Sequence, residues 1–487
     1  MIWGHPPLPC GAVGGRLAGA GKALEAVKAL RLQCPVKGQR TCAFPHWRPP
    51  QKRLGFATKV RYTYAHTIPK EERRLNENCI HVGIGFATGR KSFQNVLRSY
   101  VYHLEESGFV APGRVSLHLL AAFDPAYAGT TRADYEEMEP RVRRWFDDVA
   151  FFSPEDVRAG AEALVKRGVA PAEEAHLLFG NGYAAQRNIV LYEAMRRHLD
   201  YLIFFDDDEY PMAVTNSNAS GVALWSGQHV IEAHVKYLRF ADVTNGYHCG
   251  YISPLPSLEL DCILDADTFR RFIAAMSSDV LQWDDVRAIM ENGGVTYADR
   301  NVLMQNGPEL VEEENHAKFI TGGNLGLNLT DPGKIPPFYN PPGARGEDSF
   351  FSTCLTDCVV KRVPAYTFHD GFALYSNLLR GVLPTFLKSV SLYDSRAVTE
   401  RFLRACVGWV RYKPLYTRLT RPDDWREVLD QAETALCETI PSVCAYFNDR
   451  AFADVSAQFS QYRRDVDAHL AEFERVKALW ARMKELL

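Results

Sequence analysis

The chain has 487 residues, 46% hydrophobic and 24% charged, with a formal net charge of -3, which predicts a mostly globular protein of two units with a sizeable core. The near balance of charge excludes a global basic field for nucleic acid, and no run of about 18 apolar residues is present to cross a membrane. Eleven cysteines are scattered without a Cys-x-x-Cys pair, and Cys354 and Cys358 lack nearby zinc-ligand partners, so reduced, mostly buried thiols in a cytoplasmic protein are expected.

In chain order, residues 1–75 read as a peripheral or poorly ordered extension. They begin with Pro, Gly and Cys, pass a helical stretch over Leu17–Leu32, and sustain no apolar period. A strand follows at Cys79–Phe86, then the turn Thr88-Gly-Arg-Lys-Ser92, with Ser92 placed to cap a helix carrying Phe93, Val96, Leu97, Tyr100 and Leu104. A second strand, Val115–Phe123, ends at Asp124, which is either the turn residue before Pro125 or a ligand contact at a strand end. The pair Gly83-x-Gly85 lacks the third glycine of a dinucleotide fingerprint. A third strand is expected at Asp148–Phe152 and a helix over Pro154–Arg167. Repeated strand and helix patterns predict an α/β fold, a mostly parallel, Rossmann-like sheet with helices on both faces.

The stretch from Tyr201 to Pro211 organises the rest. Its apolar run reads as a buried strand, and Asp206, Asp207, Asp208 and Glu209 follow at the C-terminal end, where open α/β sheets bind ligands. The run is either an acidic surface turn or a site where Mg2+ or Mn2+ relieves the repulsion between carboxylates. A helix with Ile189, Tyr192 and Met195 on one face, carrying Arg187-Asn188, leads into it. Beyond lie Trp225, Tyr247, His248 and Tyr251, which are core aromatics or sugar-stacking groups. Next comes Ile320-Thr-Gly-Gly-Asn324, whose glycines let backbone approach a ligand. In Arg345-Gly-Glu-Asp348 the acids either favour a helix N-terminus or do chemistry. His369 stands alone in a late loop. From about residue 390 the pattern is helical. Val455, Phe459, Tyr462, Val466, His469, Phe473, Val476, Trp480, Met483 and Leu487 form a heptad seam, for docking on the same chain or for self-association into a homo-oligomer.

These motifs, in this order, resemble the GT-A-fold, nucleotide-sugar-dependent glycosyltransferases, in particular the large family 2 type. The resemblance covers roughly residues 79–386. It implies a catalytic domain over 76–388 and a helical C-terminal region over 389–487. It implies a metal-dependent transfer of a sugar, commonly a hexose, from a nucleoside-diphosphate sugar to a hydroxyl acceptor. By resemblance, Ala87, Thr88, Arg90 and Asp124 hold the nucleoside. Arg187, Asp206, Gly323 and Asn324 lie along the donor, and Asp208 with Asp206 and His369 binds Mn2+ or Mg2+. In inverting members the Asp of the Glu-Asp pair removes the acceptor proton, which assigns the general base to Asp348 and to Glu347 either a supporting position behind it or an acceptor contact. Two other classes compete: a nucleotidyltransferase of related fold, for which Thr88-Gly-Arg-Lys91 is too short a phosphate loop, and a non-catalytic scaffold binding through the helical tail.

Overall fold

The computed structural model describes residues 79–487 except 111–113, 218–220, 227, 253, 278–282, 376–386 and 392–394. The extension over 1–75 lies outside the described residues. The strands, in chain order, are β1 (Ile80–Thr88), β2 (Val115–Phe123), β3 (Asp148–Phe152), β4 (Tyr201–Phe205), β5 (Glu209–Tyr210), β6 (Ala213–Ser217), β7 (Gly221–Trp225), β8 (Val243–Gly250), β9 (Glu309–Leu310), β10 (Leu325–Asn328) and β11 (Val360–His369). β6 and β7 pair as a hairpin. The others form one sheet in the order β3-β2-β1-β4-β10-β8-β11-β5, with β9 added to β11.

The α/β class holds, but the sheet is mixed rather than mostly parallel. β3, β2, β1 and β4 are parallel. β10 runs antiparallel to both β4 and β8, and β5 and β9 run antiparallel to β11. Leu325 opens β10 opposite Phe204, near the end of β4. The chain leaves β8 and, after the helices that follow it, enters β10 from the same ligand-bearing edge, so β10 runs opposite to β4 and β8. This reversal puts the glycine segment 321–324 directly beside the acidic run.

β4 shows why a continuous apolar run forms a strand here. Leu202 and Phe204 enter one core and Ile203 and Phe205 the other, all fully buried. Tyr100, on the helix Phe93–Ser107, stacks on Phe205 at 4.0 Å. The helix Tyr183–Arg196 covers the opposite face and buries Ile189, Val190 and Leu191. Gly83 and Gly85 of β1 answer to this packing. A Cβ on Gly85 would lie 3.0 Å from the Phe204 ring and 3.1 Å from Val190. Ser92 precedes its helix with no side-chain cap, because its backbone is already helical.

The C-terminal region is helical: Arg396–Thr420, Trp425–Phe447, Ala453–Arg464 and Val466–Lys484. The heptad seam breaks at Asp465 and docks on its own chain. Phe473 is 1% exposed and stacks on Tyr339 at 5.0 Å. The Trp480 indole donates to the Ile335 carbonyl at 3.0 Å, and the Tyr339 hydroxyl donates to Glu472 at 3.0 Å. These contacts place Phe473 and Trp480 in the same core as β4, so neither is open to a second copy. Among the described residues no helix is long and apolar enough to cross a membrane. Phe473→Asp removes a buried ring and puts a carboxylate into the core, where only Lys477, 4.8 Å from the ring, could offset it, and we expect a loss of about 3–5 kcal/mol. Thermal unfolding checks this; an unchanged Tm would mean that the helix does not dock.

Candidate functional site

The three aspartates after β4 do three different things. Asp207, 4% exposed, is a strut. Its Oδ2 accepts from the Thr88 hydroxyl at 2.8 Å and from the Gly89 and Arg90 amides at 3.2 Å each. It thereby fixes the turn after β1 against the end of β4. Thr88 and Ala87 are buried in this joint; the Thr88 hydroxyl serves the turn, so neither side chain is free to grip a nucleoside. Within the acidic run nothing in the sequence marks Asp207 for this role, because its partners lie on the turn after β1.

Asp208 is buried and faces His369, with Oδ1 3.1 Å from the His369 Nε2. Arg90 pairs with Asp208 and, at 3.2 Å, with Asp207. Burial opposes ionising Asp208, but His369 and Arg90 outweigh it and hold the carboxyl well below its usual range. Burial likewise opposes charging His369, and Asp208, followed by Glu209 and Asp206, raises it to about 9. The other ring nitrogen, Nδ1, is 3.0 Å from the Tyr251 carbonyl. That contact orients the ring and leaves Nε2 on the Asp208 side. β11 pairs His369 with Glu209 of β5, and the Asp370 amide donates to the Asp208 carbonyl at 2.9 Å. Sheet pairing therefore joins two motifs far apart in sequence.

Asp206 turns the other way. The Arg187 Nη2 donates to its Oδ1 at 2.8 Å, and the Arg187 Nη1 to the Gly322 carbonyl at 2.8 Å. Burial first, then Glu209 and Asp208, push the Asp206 carboxyl upward against the pull of Arg187. The 35% of its side chain left open to the cleft moderates that push. Asp206 feels the charges of Asp208 and His369, but its direct partner is Arg187.

Arg187 is 2% exposed and lies 5.2 Å from the Phe204 ring and 5.6 Å from the Phe338 ring. Its Nε stands 3.5 Å from Glu347. The Gly322 amide in turn donates to the Asp348 Oδ2 at 3.2 Å, and the Ser349 amide to Oδ1 at 2.9 Å. Asp206, Arg187, Gly322 and Asp348 thus form one linked row across the cleft. Burial, then the neighbouring Glu347 charge, raise Asp348 to about 6 against the pull of Arg187. A carboxyl so poised is ionised at neutral pH and basic enough to take a proton.

The glycines are there for close approach. A Cβ on Gly322 would lie 2.9 Å from the Arg187 Nη2, and one on Gly323 2.4 Å from Glu209. Glu209 is itself buried and paired with the His248 Nδ1 at 2.9 Å. Asn324 departs from its expected role along the donor. Its side chain is fully buried, 2.8 Å from His234 Nε2 and donating to the Tyr247 and Ala365 carbonyls at 3.1 Å. It knits β8, β10 and β11 together. Asp124 caps the short helical turn after it, accepting from the Ala126 amide at 2.9 Å, which is the turn-residue reading. Tyr251 is fully buried core rather than a stacking platform. The Trp225 indole donates to Thr215 at 3.0 Å within the hairpin.

Two further residues border the site with no signal in the sequence, Arg345 and Arg401. Arg401 comes from the C-terminal helix Arg396–Thr420, donates to the Gly371 carbonyl and lies 4.4 Å from the Phe372 ring. Tyr127, 46% exposed, lies beside Arg90, whose guanidinium carbon is 6.0 Å from its ring centroid.

Among the described residues no cluster of three or more His, Cys, Asp or Glu side chains forms a metal-holding group. Two protein ligands still fit a cation of the Mg2+ or Mn2+ type, which takes one or two carboxylates and completes its shell with water and phosphate oxygens. The Asp208 and His369 pair would supply that donor set on release of the proton that His369 Nε2 shares with Asp208, with the ring oriented from behind by Tyr251. No protein-family model matches the chain, and no curated protein matches its sequence.

Proposed function

We propose that the protein is a glycosyltransferase of GT-A type, moving a sugar from a nucleoside-diphosphate sugar to an acceptor hydroxyl. The observation that carries this reading is the juxtaposition, at one sheet edge, of an Asp208 and His369 pair with a separately held, raised carboxyl at Asp348. A diphosphate leaving group needs positive charge at one end of the site, and an attacking hydroxyl needs a base at the other.

In this reading Asp208 and His369 would hold Mn2+ or Mg2+, which supplies charge stabilisation to the leaving diphosphate. Arg187 holds Asp206 and Gly322 in place, so the row that carries Asp348 keeps its position. Asp348 takes the proton of the acceptor hydroxyl while that oxygen bonds to the anomeric carbon. The bond from the anomeric carbon to the diphosphate oxygen breaks, and its electron pair leaves with the nucleoside diphosphate. Attack from the face opposite the leaving group inverts the anomeric configuration. Glu347, beside Arg187, raises the basicity of Asp348 by its charge.

Incubating the full chain with a panel of nucleotide sugars, with and without Mn2+, tests the proposal. We expect one donor to be turned over to free nucleoside diphosphate, more slowly by about a hundredfold or more after chelation. Absence of turnover and of nucleoside-diphosphate binding across the panel would sink it.

A further inference from the structure

Of the guanidiniums around this edge, Arg90 and Arg187 are each matched to aspartates, Arg90 to Asp207 and Asp208 and Arg187 to Asp206. Arg345 and Arg401 have no carboxylate within ion-pair distance among the described residues. The Arg401 guanidinium is partly buried, held by the Gly371 carbonyl and set over Phe372 at 4.4 Å. Gly371 is needed for that approach, since a Cβ there would lie 2.4 Å from the Arg401 Nη2. The stem of Arg345 lies against Gly408, its Cδ 3.4 Å from where a Cβ would stand. Gly408 is seven residues after Arg401 on the same helix, hence on the same face. One face of one helix therefore positions both cations. Burial lowers Arg401 to about 10; Asp208 acts against this from beyond ion-pair distance, and Arg90 and Arg345 add to the lowering. Arg90 and Arg345 both act on the Tyr127 hydroxyl as well. Asp208 is already paired with Arg90 and His369, and like charges held with no carboxylate at ion-pair distance favour a ligand that brings an anion. Arg345 also precedes Gly346-Glu347-Asp348, the segment that faces the acceptor.

We infer that Arg345 and Arg401 form an oxyanion subsite for a phosphate-type group carried by the acceptor, separate from the diphosphate of the donor. The inference rests on the transferase reading for the words donor and acceptor; the subsite itself does not.

Inorganic phosphate is titrated calorimetrically into the full chain, first alone and then saturated with Mn2+ and each common nucleoside diphosphate. We expect phosphate to bind in both states, and Arg345→Gln and Arg401→Gln each to weaken it by about tenfold, the loss of one charge-assisted contact. Nucleoside-diphosphate affinity should change by less than about threefold in the same variants. Arg345 is exposed, so its variant stands if the Arg401 variant fails to fold. Loss of phosphate binding once a nucleoside diphosphate is bound, or equal weakening of that nucleotide by the variants, would overturn the inference in favour of the donor diphosphate. Phosphate binding that ignores both arginines would overturn it outright. Arginine-dependent phosphate binding with no nucleoside diphosphate bound from the panel would uphold the subsite and remove the transferase reading.

Discussion

Asp348→Asn is expected to lower kcat by at least about a hundredfold, the usual scale for losing a general base. The substitution keeps the size of the side chain and removes the proton acceptor. Donor binding should change little, because the Asp208 corner is untouched. The wild-type rate should fall on the acid side of about pH 6, where Asp348, raised by burial and by Glu347, takes up its proton. Asp348→Asn should lose that limb in its residual activity. The same shift has a stability consequence. A carboxyl whose folded pKa lies above its ordinary value favours the folded state fully below the ordinary value. That contribution is lost as pH rises through about 6. The stability difference between Asp348→Asn and wild type should therefore move in favour of the variant as pH rises through that window. Chemical denaturation at pH 4, 6 and 8 measures it, and NMR of the anomeric proton of the product reads the stereochemistry. A retained configuration would leave Asp348 without the role of base even if the variant were inactive.

The second large effect is expected at Asp208. Asp208→Asn removes the carboxylate that both His369 and Arg90 face, so two half-buried groups lose their shared partner. We expect turnover to fall by about a thousandfold or more, the several kcal/mol that charge stabilisation of a leaving group supplies. Mn2+ binding, read by electron paramagnetic resonance, should weaken in parallel. Asp206→Asn separates the positions: it should weaken the tie to Arg187 and leave Mn2+ binding near wild type. Equal loss of Mn2+ binding in both variants would mean that Asp206 belongs to the ligand set after all.

The sequence by itself determined the elements whose signal is local. The run Tyr201–Phe205 is apolar on both faces, and only a strand between two cores satisfies that; β4 is such a strand. The parallel half of the sheet, the helix carrying Arg187 and the helical C-terminal region were legible for the same reason, since period and turn chemistry act over a few residues. The direction of β10 was not, because strand direction depends on which edge the chain enters from. The seam from Val455 to Leu487 announced a buried face without naming its partner. Tyr339, Phe350 and Ile335, which receive it, lie more than a hundred residues earlier.

Within the site, residue types were legible and their orientations were not. Asp206, Asp207 and Asp208 read as one acidic run, yet the tertiary structure turned one toward Arg187, one into the turn after β1 and one toward His369. Asn324 looked ligand-facing beside its glycines and is committed inward, because three strands converge there with carbonyls that need a donor. Arg401 could not have been found from the sequence. A charged residue on a surface-like helix carries no local mark of function, and only the packing of that helix against the sheet edge brings it beside Gly371. Local propensity acts over a few residues, and a site is assembled by contacts hundreds of residues apart, so the chain announced its strands and its acids while the fold decided which of them meet.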